Sequence, residues 1–217
     1  MRAHDKTTSE LTPALQALFD IIRKFIIAGR PKPIRLTMPR EPPCFIFTDG
    51  WQSSLDADAR IGCGAILFAP DPIKPQYFGF FIPETFAFSW KGDDGHAMLI
   101  DLAELLPAAA ARTTWAHVIG GRRVIHFVDN DGARGQLISG YPKRGGGERL
   151  VNAFWALDEA LDIYSWYTRV PSSWNPADGP SRGDFELLQT LGFEEVKPLL
   201  LASTEFLVSE AALLLTA

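Results

Sequence analysis

Two apolar stretches of this chain, rich in the branched and aromatic residues that favour extended backbone, each run straight into an aspartate: FIFTDG reaches Asp49 and IHFVDN reaches Asp129. A third carboxylate, Glu104, lies inside the apolar run DLAELL, where a packing side chain would otherwise stand. Carboxylates at the ends of buried strands converge at the edge of a sheet, and their charge is costly there unless a cation is bound. Each residue alone has a plainer reading, since Asp before Gly is a common turn signal and an acidic residue can cap a helix. The ordered set is more specific than any member. Oxygen-only ligands select hard ions such as Mg²⁺ or Mn²⁺.

The runs CFIFTDG, IGCGAILFAP and QYFGFFIP are short, apolar and bounded by Gly, Pro or Asp, so they predict three strands in succession, an antiparallel meander. HAMLIDLAELL then reads as a helix, RVIHFVDN as a buried strand, and ERLVNAFWALDEALDIY as a helix with Leu150, Phe154, Leu157 and Leu161 on one face. SWYTRVPS is a fifth strand. This order predicts an α/β fold, a mixed five-stranded sheet with helices on its faces.

Upstream, Thr12 and Pro13 start a helix over about residues 13–28, with Leu15, Leu18, Phe19 and Ile22 on one face and Gly29 at its end. The Pro-rich basic stretch GRPKPIRLTMPREPP follows as a linker. The expected organisation is therefore an N-terminal helix and linker over 1–43, a main domain over 44–195, and a C-terminal helical extension over 196–217. Glu205 and Glu210 interrupt the apolar C-terminal stretch, so it reads as amphipathic and no membrane span is expected. The opening MRAHDKTTSE has no secretory core, and Cys44 and Cys63 are too few for a disulfide framework. An intracellular protein, cytoplasmic or nuclear, with two buried thiols is the expectation. The net charge of -5 excludes a chain that is basic all over, so any nucleic-acid contact needs a local patch.

In order, FIFTDG, the Glu of DLAELL, FVDN and NPADGPSR resemble the four acidic motifs of ribonuclease H domains. The segment RVPSSWNPADGPSR is similar to the last strand, the Asn-x-x-Asp turn and the Ser-Arg of retrotransposon and pararetrovirus reverse transcriptase polyproteins. The resemblance spans about residues 44–185 and implies a ribonuclease H-like sheet with helices on both faces. It also implies an endonuclease that cuts the RNA strand of RNA/DNA hybrids, with Asp49, Glu104, Asp129 and Asp178 as catalytic metal ligands. Two Mg²⁺ or Mn²⁺ ions about 4 Å apart would clamp the scissile phosphate. Asp49 would bridge them, with Glu104 and Asp129 on the nucleophile side and Asp178 on the other. A polymerase domain of the same polyprotein is the implied partner, since this chain has no Tyr-x-Asp-Asp motif of its own.

Three departures stand beside the resemblance. Ser172, Ser173 and Trp174 occupy the loop where many members carry a His; His117 does not match it, and His126, on an apolar strand, reads as a core residue. Pro107 follows Glu104 closely, which predicts that Glu104 sits in the last regular turns before a kink, with Asp101 one turn earlier as the substitute ligand. Hybrid recognition would use Gly50, Gln52 and Asn130 at the minor groove. Phosphates would meet Lys143, Arg144 and Arg182, with Arg122, Arg123, Arg134 and Arg149 as further cations. PKRGGGER lacks the Gly-Lys-Ser/Thr ending of a Walker loop and reads as a mobile basic loop. Trp51 and Trp174 could stack on substrate, although large aromatics more often pack. An integrase core expects Asp, Asp, Glu in that order and a 3′ to 5′ exonuclease opens on Asp-x-Glu, so neither fits. The remaining alternative is a ribonuclease H-like scaffold, catalytically inactive and kept for nucleic-acid or protein binding.

Overall fold

The computed structural model describes residues 41–53, 60–82, 97–141 and 147–199, and residues 15, 16, 19, 20, 22, 23 and 27 near the N-terminus; the side chains of 97–99, 101, 102 and 147–149 are not among those described. The chain forms two units, Met1–Met38 and Pro39–Ala217. Every described residue of the first is helical, within the stretch 13–28 where a helix is expected.

The second unit is a mixed sheet flanked by helices. Strands β1 (Cys44–Gln52), β2 (Ile61–Phe68) and β3 (Gln76–Phe81) form the expected antiparallel meander. Helix α1 (Ala97–Thr114) and the short α2 (Ala116–Ile119) then cross back to β4 (Arg123–Val128), parallel to β1. Helices α3 (Asp131–Ser139) and α4 (Gly147–Ala160) lead to β5 (Tyr164–Arg169), parallel to β4. A 3-10 turn (Ser172–Trp174), α5 (Asp178–Ser181) and α6 (Glu186–Thr190) follow. A sixth strand, β6 (Glu194–Glu195), joins the five expected ones, and the order is β5-β4-β1-β2-β3-β6. Residues 196–199 are not helical, and the rest of the expected C-terminal helix lies outside the described residues, as do Lys143, Arg144 and most of the basic loop. No helix among the described residues is long and apolar enough to cross a membrane.

Strand alternation divides the core. Ile46, Ala65, Leu67 and Phe78 point to one face, where they pack with Ala110, Ala111 and Trp115 of α1 and the turn after it. Phe47, Ile66 and Tyr77 point to the other, under Phe185, Leu188 and Phe193. Cys44 and Cys63 are buried free thiols, and His126 is a fully buried core residue bonded to Thr48 Oγ1 at 2.9 Å.

Two expectations about local geometry need correcting. β1 does not end at Asp49 but continues through Gly50 to Gln52, so Asp49-Gly50 is not a turn. A Cβ on Gly50 would collide with the backbone of Ala103, so the glycine is there to let α1 approach the strand. Nor does α1 break at Pro107; it runs on to Thr114. Proline removes the amide that would have bonded the carbonyl four residues earlier, that of Ala103. The Cys63 thiol donates to this carbonyl at 3.6 Å, so the freed acceptor keeps a partner across the helix–sheet contact.

Asp49, Gly64 and Gly79 occupy one register row across β1, β2 and β3. The row has a carboxylate and then no side chains, and α5 lies in the resulting trough. A Cβ at Gly64 would meet Ser181 N and the Ala177 carbonyl, one at Gly79 the Pro180 carbonyl, and one at Gly62 the Ser181 carbonyl. Gly135 in α3 has nothing within 4 Å of an added Cβ. The two glycines should therefore respond with opposite sign. Gly64→Ala should destabilise by about 1–3 kcal/mol through overpacking against backbone. Gly135→Ala should stabilise by about 0.5–1 kcal/mol, as in an open helix interior. Urea unfolding of both variants measures this; a stable Gly64→Ala protein would show that α5 does not rest on the strand.

Candidate metal centre

The trough delivers the C-terminal motif to Asp49. Ser181, with no exposed surface, donates its hydroxyl to Asp49 Oδ2 at 2.5 Å. Asn175 donates Nδ2 to the Thr48 carbonyl at 3.0 Å and to Asp49 Oδ1 at 3.5 Å, while its own Oδ1 accepts from Ala177 N at 3.2 Å. Both oxygens of Asp49 are thus held from the same segment. Ser181 and Asn175 belong to the Asn-x-x-Asp turn and Ser-Arg of the resemblance, but neither is among the expected site residues; their signal is a polar residue that must be buried beside a carboxylate.

Glu104 arrives from the opposite face on α1 and receives hydrogen bonds from the Gly50 amide and the Asn130 side chain. Asn130 also caps α3, accepting from Ala133 N at 2.9 Å. Gly50 and Asn130, expected as substrate contacts, therefore hold a carboxylate in this structure. Asp129 stands immediately beyond β4, whose pairing with β1 ends at Thr48 and Val128. Three carboxylate oxygens, one each from Asp49, Glu104 and Asp129, lie within 4.8 Å of one another.

Asp178 is not in that group. Its Oδ1 accepts both Nε and Nη2 of Arg182, at 2.9 and 2.8 Å, and the guanidinium lies 5.6 Å over the Trp51 ring. Asp101 is helical, but its side chain is outside the described set. Gln52 ends β1, partly buried. Trp51 packs edge-on against Phe81, and Trp174 is exposed on the 3-10 turn before Asn175. Arg134 pairs with Asp131 at the N-terminus of α3. Arg122 and Arg123 sit at the start of β4 with Glu41, roughly 20 Å of strand away from Asp129, so they do not belong to the carboxylate cluster. His117 lies on α2, next to that same far end.

Asp49 and Glu104 are only 5% and 6% exposed. Burial, with the charges of Asp129 and Asp178, pushes the Asp49 carboxyl up to about 6 despite the Ser181 hydrogen bond and the Arg182 charge. Burial, with Asp49 and Asp129, pushes Glu104 up to about 9. Glu104 Oε2 and Asp129 Oδ1 are buried with no hydrogen-bond partner. Carboxylates converging from three elements, two of them with an unpaired buried oxygen, fit a hard divalent cation, which would supply the missing partner and neutralise the repulsion.

This gives a pH signature. A carboxyl whose pKa is raised on folding stabilises the folded state below its unfolded value, and that contribution is lost as pH rises toward the folded value. Stripped of divalent ions, the protein should lose about 1.4 kcal/mol per pH unit from pH 7 toward 8.5, because unfolded Glu104 is already ionised there while the folded carboxyl keeps its proton. His126, held neutral by burial, changes only at lower pH. Added Mg²⁺ should stabilise more at pH 8.5 than at 7, because binding displaces the proton. Urea unfolding at both pH values, with EDTA or Mg²⁺, tests this; a Glu104→Gln protein with the same slope as wild type refutes it.

No family model matches the sequence, and no curated protein does. Among solved structures, the chain is similar to ribonuclease H1 of the halophilic archaeon Halobacterium salinarum, at 17% identity over 67% of this chain and 98% of that one, with a TM-score of 0.47. It is similar to the N-terminal RNase H domain of a Mycobacterium tuberculosis protein, solved as a fusion with maltose-binding protein, at 15% identity over 69% and 98% with a TM-score of 0.49. It is also similar to LC11-RNase H1 in complex with an RNA/DNA hybrid, at 11% identity over 67% and 99% with a TM-score of 0.46.

Proposed function

We propose that this chain is a metal-dependent endonuclease of the ribonuclease H type, hydrolysing the RNA strand of RNA/DNA hybrids, with residues 44–195 as the working domain. The observation that supports it best is the convergence of Asp49, Glu104 and Asp129, two of them with buried oxygens that lack any partner. A packing or capping role leaves such oxygens unexplained. The retroelement origin and the polymerase partner rest on the sequence resemblance, chiefly that of RVPSSWNPADGPSR.

Two Mg²⁺ or Mn²⁺ ions would supply activation of the attacking water and stabilisation of the leaving 3′ oxygen. Asp49, central and held at both oxygens, would bridge them. Glu104 and Asp129 would hold the first, and Asp178, at the start of α5, the second. Ser181 and Asn175 fix the Asp49 carboxylate in one rotamer, and Gly50 and Asn130 do the same for Glu104, so the ligands are oriented before loading. No side-chain general base is required, so Ser172, Ser173 and Trp174 need not replace a His. Gln52 would meet the minor groove, and Arg182, Lys143 and Arg144 the phosphates.

Purified protein with Mg²⁺ or Mn²⁺ should cut end-labelled RNA in a hybrid and spare single-stranded RNA and duplex DNA. Asp49→Asn and Asp129→Asn should each lower the rate more than about 100-fold, and Ser181→Ala, which removes only a supporting hydroxyl, by about 10- to 100-fold. Folded protein that binds the hybrid but leaves it intact in both metals, where an authentic ribonuclease H cuts, would instead establish the binding scaffold.

A further inference from the structure

We propose that Arg182 is a resident counter-cation of Asp178 that withholds the second ion position until a nucleic-acid phosphate draws it away. The inference rests on the nuclease reading and concerns when its ions load.

Asp178 and Arg182 are one helical turn apart, and both Nε and Nη2 converge on the single oxygen Oδ1. Two donors on one oxygen leave little of its lone-pair capacity for a cation. The guanidinium is also held from its other side. It lies over the face of Trp51, and Trp51 is itself braced edge-on by Phe81 at 6.5 Å between centroids. A cation between a carboxylate and an indole face has two favourable partners and a defined position. Its charge reaches past Asp178 to Asp49, the carboxylate that both halves of the site share.

The two halves of the centre are therefore unequal. On the Glu104 and Asp129 side, each carboxylate has one buried oxygen with no partner, so no cationic side chain among the described residues bonds either oxygen. On the Asp178 side, a fixed positive charge already occupies the field that a divalent ion would enter. Both Arg182 bonds use Oδ1, so an ion entering there has only Oδ2 and meets the guanidinium charge; full ligation follows when Arg182 leaves Oδ1 for an anion of comparable strength. A backbone phosphate is such an anion, and its two non-bridging oxygens match the planar donor fork of the guanidinium. One exchange, from carboxylate to phosphate, then couples arrival of the strand to completion of the ion pair. Arg182→Met breaks the coupling while keeping an unbranched side chain against Trp51.

The test uses the whole chain without nucleic acid and counts bound Mn²⁺ by electron paramagnetic resonance titration. Wild type and Arg182→Lys should saturate at one ion per chain. Arg182→Met should take two, and Arg182→Met with Asp178→Asn should return to one. Arg182→Gln replaces the Met variant if that protein melts early, with the same expectation. One ion in wild type and in both neutral variants, or two in all of them, overturns the counter-cation role and leaves the nuclease reading standing. No ion in any of them overturns the metal centre and this proposal together.

Discussion

Mutual repulsion among Asp49, Glu104 and Asp129, held within 4.8 Å and mostly out of water, is the constraint around which this end of the sheet is built. Like charges so placed favour protonation or escape to solvent, and both are opposed by directed hydrogen bonds from Ser181, Asn175, Asn130 and the Gly50 amide. The satisfaction is incomplete: each donor serves one side of its carboxylate, and oxygens are left facing the common centre. A centre that was fully bonded internally would need no cation, and one with no donors would not hold its shape. The arrangement lies between these limits, which is the state that preorganises a metal ligand set.

Glycine makes that arrangement possible. Ser181 of α5 reaches Asp49 only because Gly62, Gly64 and Gly79 let helix backbone lie on strand backbone, and Glu104 reaches the centre only because Gly50 does the same for α1. Strand glycines weaken a sheet in isolation. Here the cost is offset by the apolar cover to either side, Phe185, Leu188 and Phe193 over one face and Trp115 with the alanines of α1 over the other.

Much of this is legible in the sequence. The strand runs, the helices that cover them and three converging carboxylates all follow from apolar periodicity and its interruptions. Less legible are relations between segments distant in the chain. Nothing local in FIFTDG tells a turn from a strand that continues past Asp49, because the reason is Ala103, on another element. Pro107 reads as a breaker until Cys63, from β2, supplies the missing donor. Arg122 and Arg123 are close to IHFVDN in sequence, yet a strand carries its two ends far apart, so they stand roughly 20 Å of strand from Asp129. The alternating glycines of IGCGAILF carry a signal that strand propensity alone does not use: period-two glycines in a buried strand mark a close backbone approach.

The missing hydrogen bond at Pro107 raises the question of what keeps Glu104 aimed, since a helix lacking one bond near its middle bends readily there. Beyond the proline, Arg112 is fully buried and donates Nε to Asp158 of α4 at 2.6 Å and Nη2 to Ser165 of β5 at 3.0 Å. Asp158 is further bonded by Ser165 and Tyr167, and the guanidinium lies 4.6 Å over Phe154. An ion pair in this setting contributes little net stability over an apolar replacement, but it fixes direction, because Nε and Nη2 each meet one acceptor on a different element, while Nη1 has none. It locks the rotation of α1 after the proline, while Cys63 and Gly50 hold the turn before it. Tyr167 also packs against His126, which bonds Thr48, the residue before Asp49. A buried network with no place in the chemistry thus ties the helix that bears Glu104 to the strand that bears Asp49, and the spacing of the two carboxylates is set from beneath as well as at the site.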